Sequence, residues 1–194
     1  VQEYIRGWTL HQEIEQLGPL PQAGVKEFLS EILPLLEFIH ARQIIHRDIK
    51  PANIMRNERD GKLVLIDFGA VKICQDDPDN STDDSTWTDI SVGTKGFAPP
   101  EQIERRPVYA SDIYALGVTC IYLLTGKSPK KFPYSRSTCE MIWQEYVQVS
   151  DHFAKVLNKM LEAAVRYRYQ SARDVLKAID PEFDLDNPEL SDAA

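Results

Sequence analysis

His46-Arg47-Asp48-Ile49-Lys50-Pro51-Ala52-Asn53, followed fourteen positions after Asn53 by Asp67-Phe68-Gly69, is the stretch on which the reading of this chain turns. It places a proton acceptor (Asp48), a cation two residues on (Lys50), an amide oxygen (Asn53) and a second carboxylate (Asp67) on two neighbouring loops. Phosphoryl transfer from a metal-bound nucleotide calls for such a set: one group to orient a hydroxyl, one cation for phosphate charge, and two oxygen ligands for Mg²⁺. Asp-Phe-Gly alone would be a weak signal. The octapeptide and the triplet in this order and spacing form a strong one.

Around this stretch the chain reads as one soluble globular unit. Its 194 residues are enough for a substantial core, with 43% hydrophobic and 27% charged residues. The net charge of −8 argues against binding nucleic acid or an anionic membrane surface. Cys74, Cys120 and Cys139 are odd in number and lack Cys-x-x-Cys spacing, so they read as free thiols in a reducing, cytoplasmic setting. The most apolar stretch, Ile113 to Leu124, is too short for a membrane span of roughly 20 residues and fits a buried core helix.

Periodicity predicts a short helix over Leu10–Gln16, ended by Gly18-Pro19, and a longer one over Gln22–Ala41 with Pro34 inside it. Ile54–Arg56 and Leu63–Ile66 flank a turn-forming run and predict a hairpin. Residues from Cys74 to Asp89 carry six aspartates and little apolar surface. Beyond Pro107 helices are expected over Ala110–Leu124, Thr138–Val147, Ser150–Ala164 and Ser171–Ile179.

The octapeptide and Asp-Phe-Gly resemble the catalytic and metal loops of eukaryotic-like, bacterial-type serine/threonine protein kinases. Gly93-Thr94 through Ala98-Pro99-Pro100-Glu101 resembles the end of that family's activation segment. The resemblance runs from Val1 to about Pro181 and implies a mainly α (α+β) fold: the kinase large lobe, helical, with a short β-hairpin near the catalytic loop. No Gly-x-Gly-x-x-Gly and no Val-Ala-Ile-Lys occurs in the chain, so the small lobe is expected to be absent from it. Residues 1–181 are then the large lobe and 182–194 an acidic tail or linker.

The roles below are implied by that resemblance. Asp48 would be the catalytic base and Lys50 the phosphate contact, with Asn53 and Asp67 as Mg²⁺ ligands. Backbone groups of Glu3 and Ile5 would bind the adenine of ATP, over a floor of Leu10, Ile54 and Met55. His46 and Phe68 would stack, and Arg47 would pair with a phosphorylated loop residue or with a loop aspartate. Thr94 would bind the Asp48/Lys50 pair, Glu101 would pair with Arg168, and Asp112 would hold the catalytic-loop backbone. Thr86 and Thr88 are the candidate activating phosphosites, unless the six aspartates already supply that charge. The implied cofactors are ATP and Mg²⁺. The implied partners are proteins offering Ser or Thr, and the resemblance allows a dimer that phosphorylates in trans. A pseudokinase or truncated protein-binding module is the alternative, with the isolated chain expected to be inactive either way.

Overall fold

Thr9 starts the first helix by a reciprocal cap: its hydroxyl accepts from the Gln12 N–H, and the Gln12 amide oxygen accepts from the Thr9 N–H. Such a cap contributes about 1 kcal/mol. The computed structural model describes residues 6–68, 94, 96–135 and 140–180, together with the backbone of 72–73. In chain order these form β1 (Gly7–Thr9), α1 (Leu10–Leu17), α2 (Gln22–His40), β2 (Ile44–Ile45), β3 (Ile54–Asn57), β4 (Leu63–Leu65) and β5 (Lys72–Ile73). Helices α3 (Pro100–Ile103), α4 (Tyr109–Thr125), α5 (Asp151–Met160) and α6 (Ala172–Ile179) follow.

The hairpin expectation holds. Strands β3 and β4 pair antiparallel, with Ile54 opposite Leu65, and β1 adds to the outer side of β3 with Thr9 opposite Met55. A second small sheet pairs β2 with β5, bringing the chain just after Phe68 back to the chain just before His46. Helix α2 runs unbroken through Pro34.

The core is helical. Val25, Phe28, Leu29, Ile32, Leu33, Leu36 and Ile39 of α2 are buried, at the three- and four-residue spacing of a single apolar face. In α4 every residue from Ala110 to Leu124 is buried, as expected of a helix that is apolar on most sides. Each fully buried Leu, Ile or Val there contributes roughly 1.5–3 kcal/mol. Gly126 ends α4 at φ 64°, its N–H bonded to the Tyr122 carbonyl, a left-handed cap that glycine adopts without steric cost. Cys120, within α4, is fully buried, and burial pushes its thiol pKa up, so it is an inert apolar filler. Cys74 and Cys139 lie outside the described residues.

Two helix expectations are corrected. Of Thr138–Val147, residues 138 and 139 lie outside the described set, and the rest is not an α-helix. Met141 bridges to Tyr134, and a single 3-10 turn covers Gln144–Tyr146. Trp143 is buried instead, its indole N–H donating to Asn158 Oδ1 at 2.8 Å. Helix α5 also ends at Met160, four residues before the expected Ala164.

Helices α4 and α5 meet at Gly117. A Cβ there would stand 3.0 Å from Met160 Cβ and 3.3 Å from Leu161 Cδ2. Overpacking a core typically costs about 1–3 kcal/mol, while Gly→Ala within a helix returns up to about 1 kcal/mol. Gly117→Ala is therefore expected to give a net loss of about 1 kcal/mol, read as a lower urea midpoint at unchanged slope. An unchanged midpoint would mean that Met160 yields freely.

Candidate active site

The loop that leaves β2 is held from below by one carboxylate. Asp112, in the first turn of α4, is fully buried. Its Oδ2 accepts from the His46 N–H at 2.9 Å and its Oδ1 from the Arg47 N–H at 2.8 Å. His40, at the end of α2, adds its Nε2 to Asp112 Oδ2 at 2.9 Å. From the other side the Gln102 side-chain amide donates to the Arg47 carbonyl. This clamp fixes Arg47 at φ 70°, a left-handed conformation that costs a non-glycine residue about 1–2 kcal/mol and aims the next residue outward.

That next residue is Asp48, and four donors converge on its carboxylate. Oδ2 accepts from Lys50 Nζ at 2.6 Å and from Asn53 Nδ2 at 2.9 Å. Oδ1 accepts from Thr94 Oγ1 at 3.0 Å and from the Thr94 N–H at 3.3 Å. Lys50 also donates to Thr94 Oγ1 at 2.7 Å, so the threonine hydroxyl accepts from the lysine and donates to the aspartate. The Asp48 and Lys50 side chains keep 15% and 20% of their exposure, which leaves room for a hydroxyl to approach from solvent. The expected link of Thr94 to the Asp48/Lys50 pair is thus present.

Asn53 is almost fully buried, and its amide orientation follows from its partners. Nδ2 faces two acceptors, the Asp48 carbonyl at 2.9 Å and Asp48 Oδ2, so Oδ1 points the other way. The Ile66 N–H bonds the Asn53 carbonyl at 2.9 Å, and this places Asp67 immediately beyond the end of Asn53. Asp67 sits at φ 62°, again left-handed, with its side chain exposed. One amide oxygen and one carboxylate on adjoining loops fit Mg²⁺, which takes hard oxygen ligands and keeps few of them from protein. Among the described residues, no group of three His, Cys, Asp or Glu could form an all-protein cage instead.

The rings of His46 and Phe68 are in contact with centroids 4.8 Å apart, but they are tilted at 58° rather than stacked as expected. His46 is fully buried, and its Nδ1 accepts the Asp48 N–H at 3.4 Å, so the ring proton lies on Nε2. Burial lowers the His46 pKa, opposed in part by the carboxylates of Asp112, Asp48 and Asp67 and by the Ile66 carbonyl. The unfolded chain therefore binds this proton more readily than the folded one. Stability is expected to fall as pH drops through the ordinary histidine value of 6.5, by up to about 1.4 kcal/mol per pH unit for this one proton. Measuring unfolding between pH 7.5 and 5.5, roughly a unit either side of that value, in the protein and in His46→Phe checks it. Equal acid sensitivity in both would remove His46 as the cause.

Glu101 opens α3 and pairs with Arg168. The guanidinium Nη1 lies 2.6 Å from Glu101 Oε1 and Nη2 lies 3.4 Å from Oε2. Ser111 completes the carboxylate with a hydroxyl at 2.8 Å. Leu10 and Ile54 are buried in the core, and Met55 is half-buried on β3 opposite Thr9. Glu3, Ile5, Thr86 and Thr88 lie outside the described residues.

Three supporting residues escaped the sequence reading: His40, Gln102 and Ser111. His40 carried a faint signal, a histidine on the apolar face of α2. The partner that gives it meaning is 72 positions away.

A protein kinase domain model matches residues 1–178. Serine/threonine-protein kinase B of Synechocystis sp. is 56% identical over 182 residues, covering 93% of this chain and 32% of that protein. Serine/threonine-protein kinase PknA of Nostoc sp. is 44% identical, covering 92% of this chain and 32% of its own length. Serine/threonine-protein kinase PrkC of Bacillus subtilis is 31% identical, covering 96% and 29%. The chain spans about a third of the length of these curated relatives.

Proposed function

This chain belongs to the protein kinase domain family, and on that premise we propose that the protein it forms part of is a serine/threonine kinase, moving the γ-phosphate of ATP to Ser and Thr hydroxyls of proteins. The observation that carries this is the Asp48 carboxylate held by Lys50, Asn53 and Thr94. A serine or threonine hydroxyl is a poor nucleophile, so fixing the plane of the acceptor carboxylate matters more than its base strength. Lys50 would meet the transferring phosphate and offset its charge, and its ammonium bonded to Asp48 Oδ2 supports that role. Asn53 Oδ1 and Asp67 would hold Mg²⁺, which when bound supplies positive charge to the phosphates. Leu10, Ile54 and Met55 would floor the adenine, with Glu3 and Ile5 contributing backbone groups.

Residues 1–181 are assigned to the large lobe and 182–194 to a tail. Thr86 and Thr88 are the proposed activating phosphosites. Arg47 suits that reading, since its Nε has no hydrogen-bond partner among the described residues while Asp112 and burial act oppositely on its charge. Phosphorylation in trans by a second copy fits the same scheme.

The full-length protein with ATP and Mg²⁺ should phosphorylate Ser- and Thr-containing peptides and leave Tyr peptides untouched. Residues 1–194 alone should give no appreciable transfer, because they contain neither a Gly-rich phosphate cover nor a Val-Ala-Ile-Lys strand. Failure of the full-length protein on every peptide would overturn the proposed activity. Robust transfer by 1–194 would overturn the lobe assignment.

A further inference from the structure

A basic ridge stands beside the segment that carries Thr94. From residue 126 to 139 the sequence contains Lys127, Lys130, Lys131 and Arg136 and no Asp or Glu, in a chain whose net charge is −8. Lys130 and Lys131 lie on an exposed 3-10 turn, Pro129–Lys131, and neither pairs with a carboxylate among the described residues. Lys127 is anchored, its Nζ 4.2 Å from the Tyr146 ring centroid. The turn is pressed against Gly96: a Cβ at that glycine would stand 3.3 Å from Pro129 Cβ and 3.7 Å from Lys130 Cγ, and Gly96 has φ 99°. Gly96 is therefore required as glycine both for its backbone angle and for this contact. It lies only two residues after Thr94, which is bonded directly to Asp48.

Two extended residues span about 7 Å. The Lys130 stem beside Gly96 thus stands within about two residues' length of Thr94, the bonding partner of Asp48, a spacing that suits a peptide residue two to four positions from a hydroxyl seated at Asp48. Solvated surface lysines are the ordinary reading of such a turn. The close packing against Gly96 and the absence of acids over fourteen residues set this one apart.

We propose that Lys130 and Lys131 select substrates carrying acidic residues two to four positions from the phosphorylated Ser or Thr. This rests on the kinase reading above and deepens it. Charges this far from the reacting atoms act equally on the ground and transition states, so their effect falls on KM. An exposed pair contributes about 1.5- to 5-fold, so two give roughly tenfold, weakening at high salt.

The test uses the full-length protein, ATP and Mg²⁺, and synthetic Thr peptides with paired Glu, Gln or Lys on either side of the acceptor. One Glu set should show kcat/KM about tenfold above its Gln counterpart, through KM. Lys130→Gln/Lys131→Gln should bring the two within about twofold while turnover of the Gln peptides, which reports correct folding, stays unchanged. Lys130→Glu/Lys131→Glu should shift the preference to the Lys set. Equal kcat/KM for Glu and Gln peptides, or a preference that survives both lysine variants, would overturn the proposal alone. No turnover of any peptide would overturn the kinase reading and this inference with it.

Discussion

Asp48→Asn in the full-length protein is expected to lower kcat for phosphate transfer at least 10²-fold, with the KM for ATP little changed. The carboxylate accepts four hydrogen bonds, two on each oxygen. An amide offers one acceptor oxygen and turns an NH₂ toward donors already in place. If its oxygen keeps Lys50 and Asn53, the NH₂ faces the Thr94 hydroxyl and N–H. If it keeps Thr94, the NH₂ faces an ammonium 2.6 Å from the original oxygen. In either orientation no group remains to take a proton from an incoming hydroxyl, and general-base catalysis is typically worth 10²–10⁴-fold. The Asp48 side chain is bonded to Lys50, Asn53 and Thr94, all of which an asparagine of the same size leaves in place, so stabilisation of the protein by ATP and Mg²⁺ in a thermal melt should persist. Turnover within threefold of the parent would remove Asp48 from the reaction.

How far the site could be read in advance depends on where the information sits. Asp48, Lys50 and Asn53 fall within six residues, and their mutual bonds are local, so the motif sufficed. Thr94, Glu101, Asp112 and Arg168 were placed through family resemblance rather than local pattern, since the partners that define them lie 44 to 72 positions away. Gln102 and His40 belong to no such motif and had to await the structure. The helix errors have a similar origin. Ala163 and Glu162 could have extended α5, but Arg168 takes their carbonyls, Nε at 2.9 Å and Nη2 at 3.3 Å, in place of helical partners. Around Met141 and Trp143, burial of the indole against α5 prevails over helical periodicity. Strand β1 is three residues long and exists through its pairing with β3, a contact across almost fifty positions. Short-range pattern cannot report tertiary partners of that kind.

The largest stability effect is expected from Arg168→Met. Arg168 is 2% exposed, and its guanidinium serves four acceptor groups: the Glu101 carboxylate and the carbonyls of Ala110, Glu162 and Ala163. It also lies over the Tyr114 ring, with 4.9 Å from Cζ to the centroid. Methionine replaces much of the aliphatic stem but none of the donors. Glu101 would then retain only the Ser111 hydroxyl while its side chain stays 13% exposed. Breaking a buried pair by removing one partner costs about 3–5 kcal/mol, because the surviving charge is left uncompensated. In Arg168→Met/Glu101→Gln that charge is gone, and about half of the loss should be recovered, whereas the parent and Glu101→Gln alone should differ by less than the arginine variant does. Unfolding midpoints of the four proteins close the cycle. The same pair ties α3, and with it the segment from Thr94 to Pro99, to the end of the chain's helical core. Arg168→Met should therefore also lower phosphate transfer by the full-length protein at temperatures where it remains folded. A destabilisation below about 1 kcal/mol, or no recovery in the double variant, would show that the pair is not what anchors this segment.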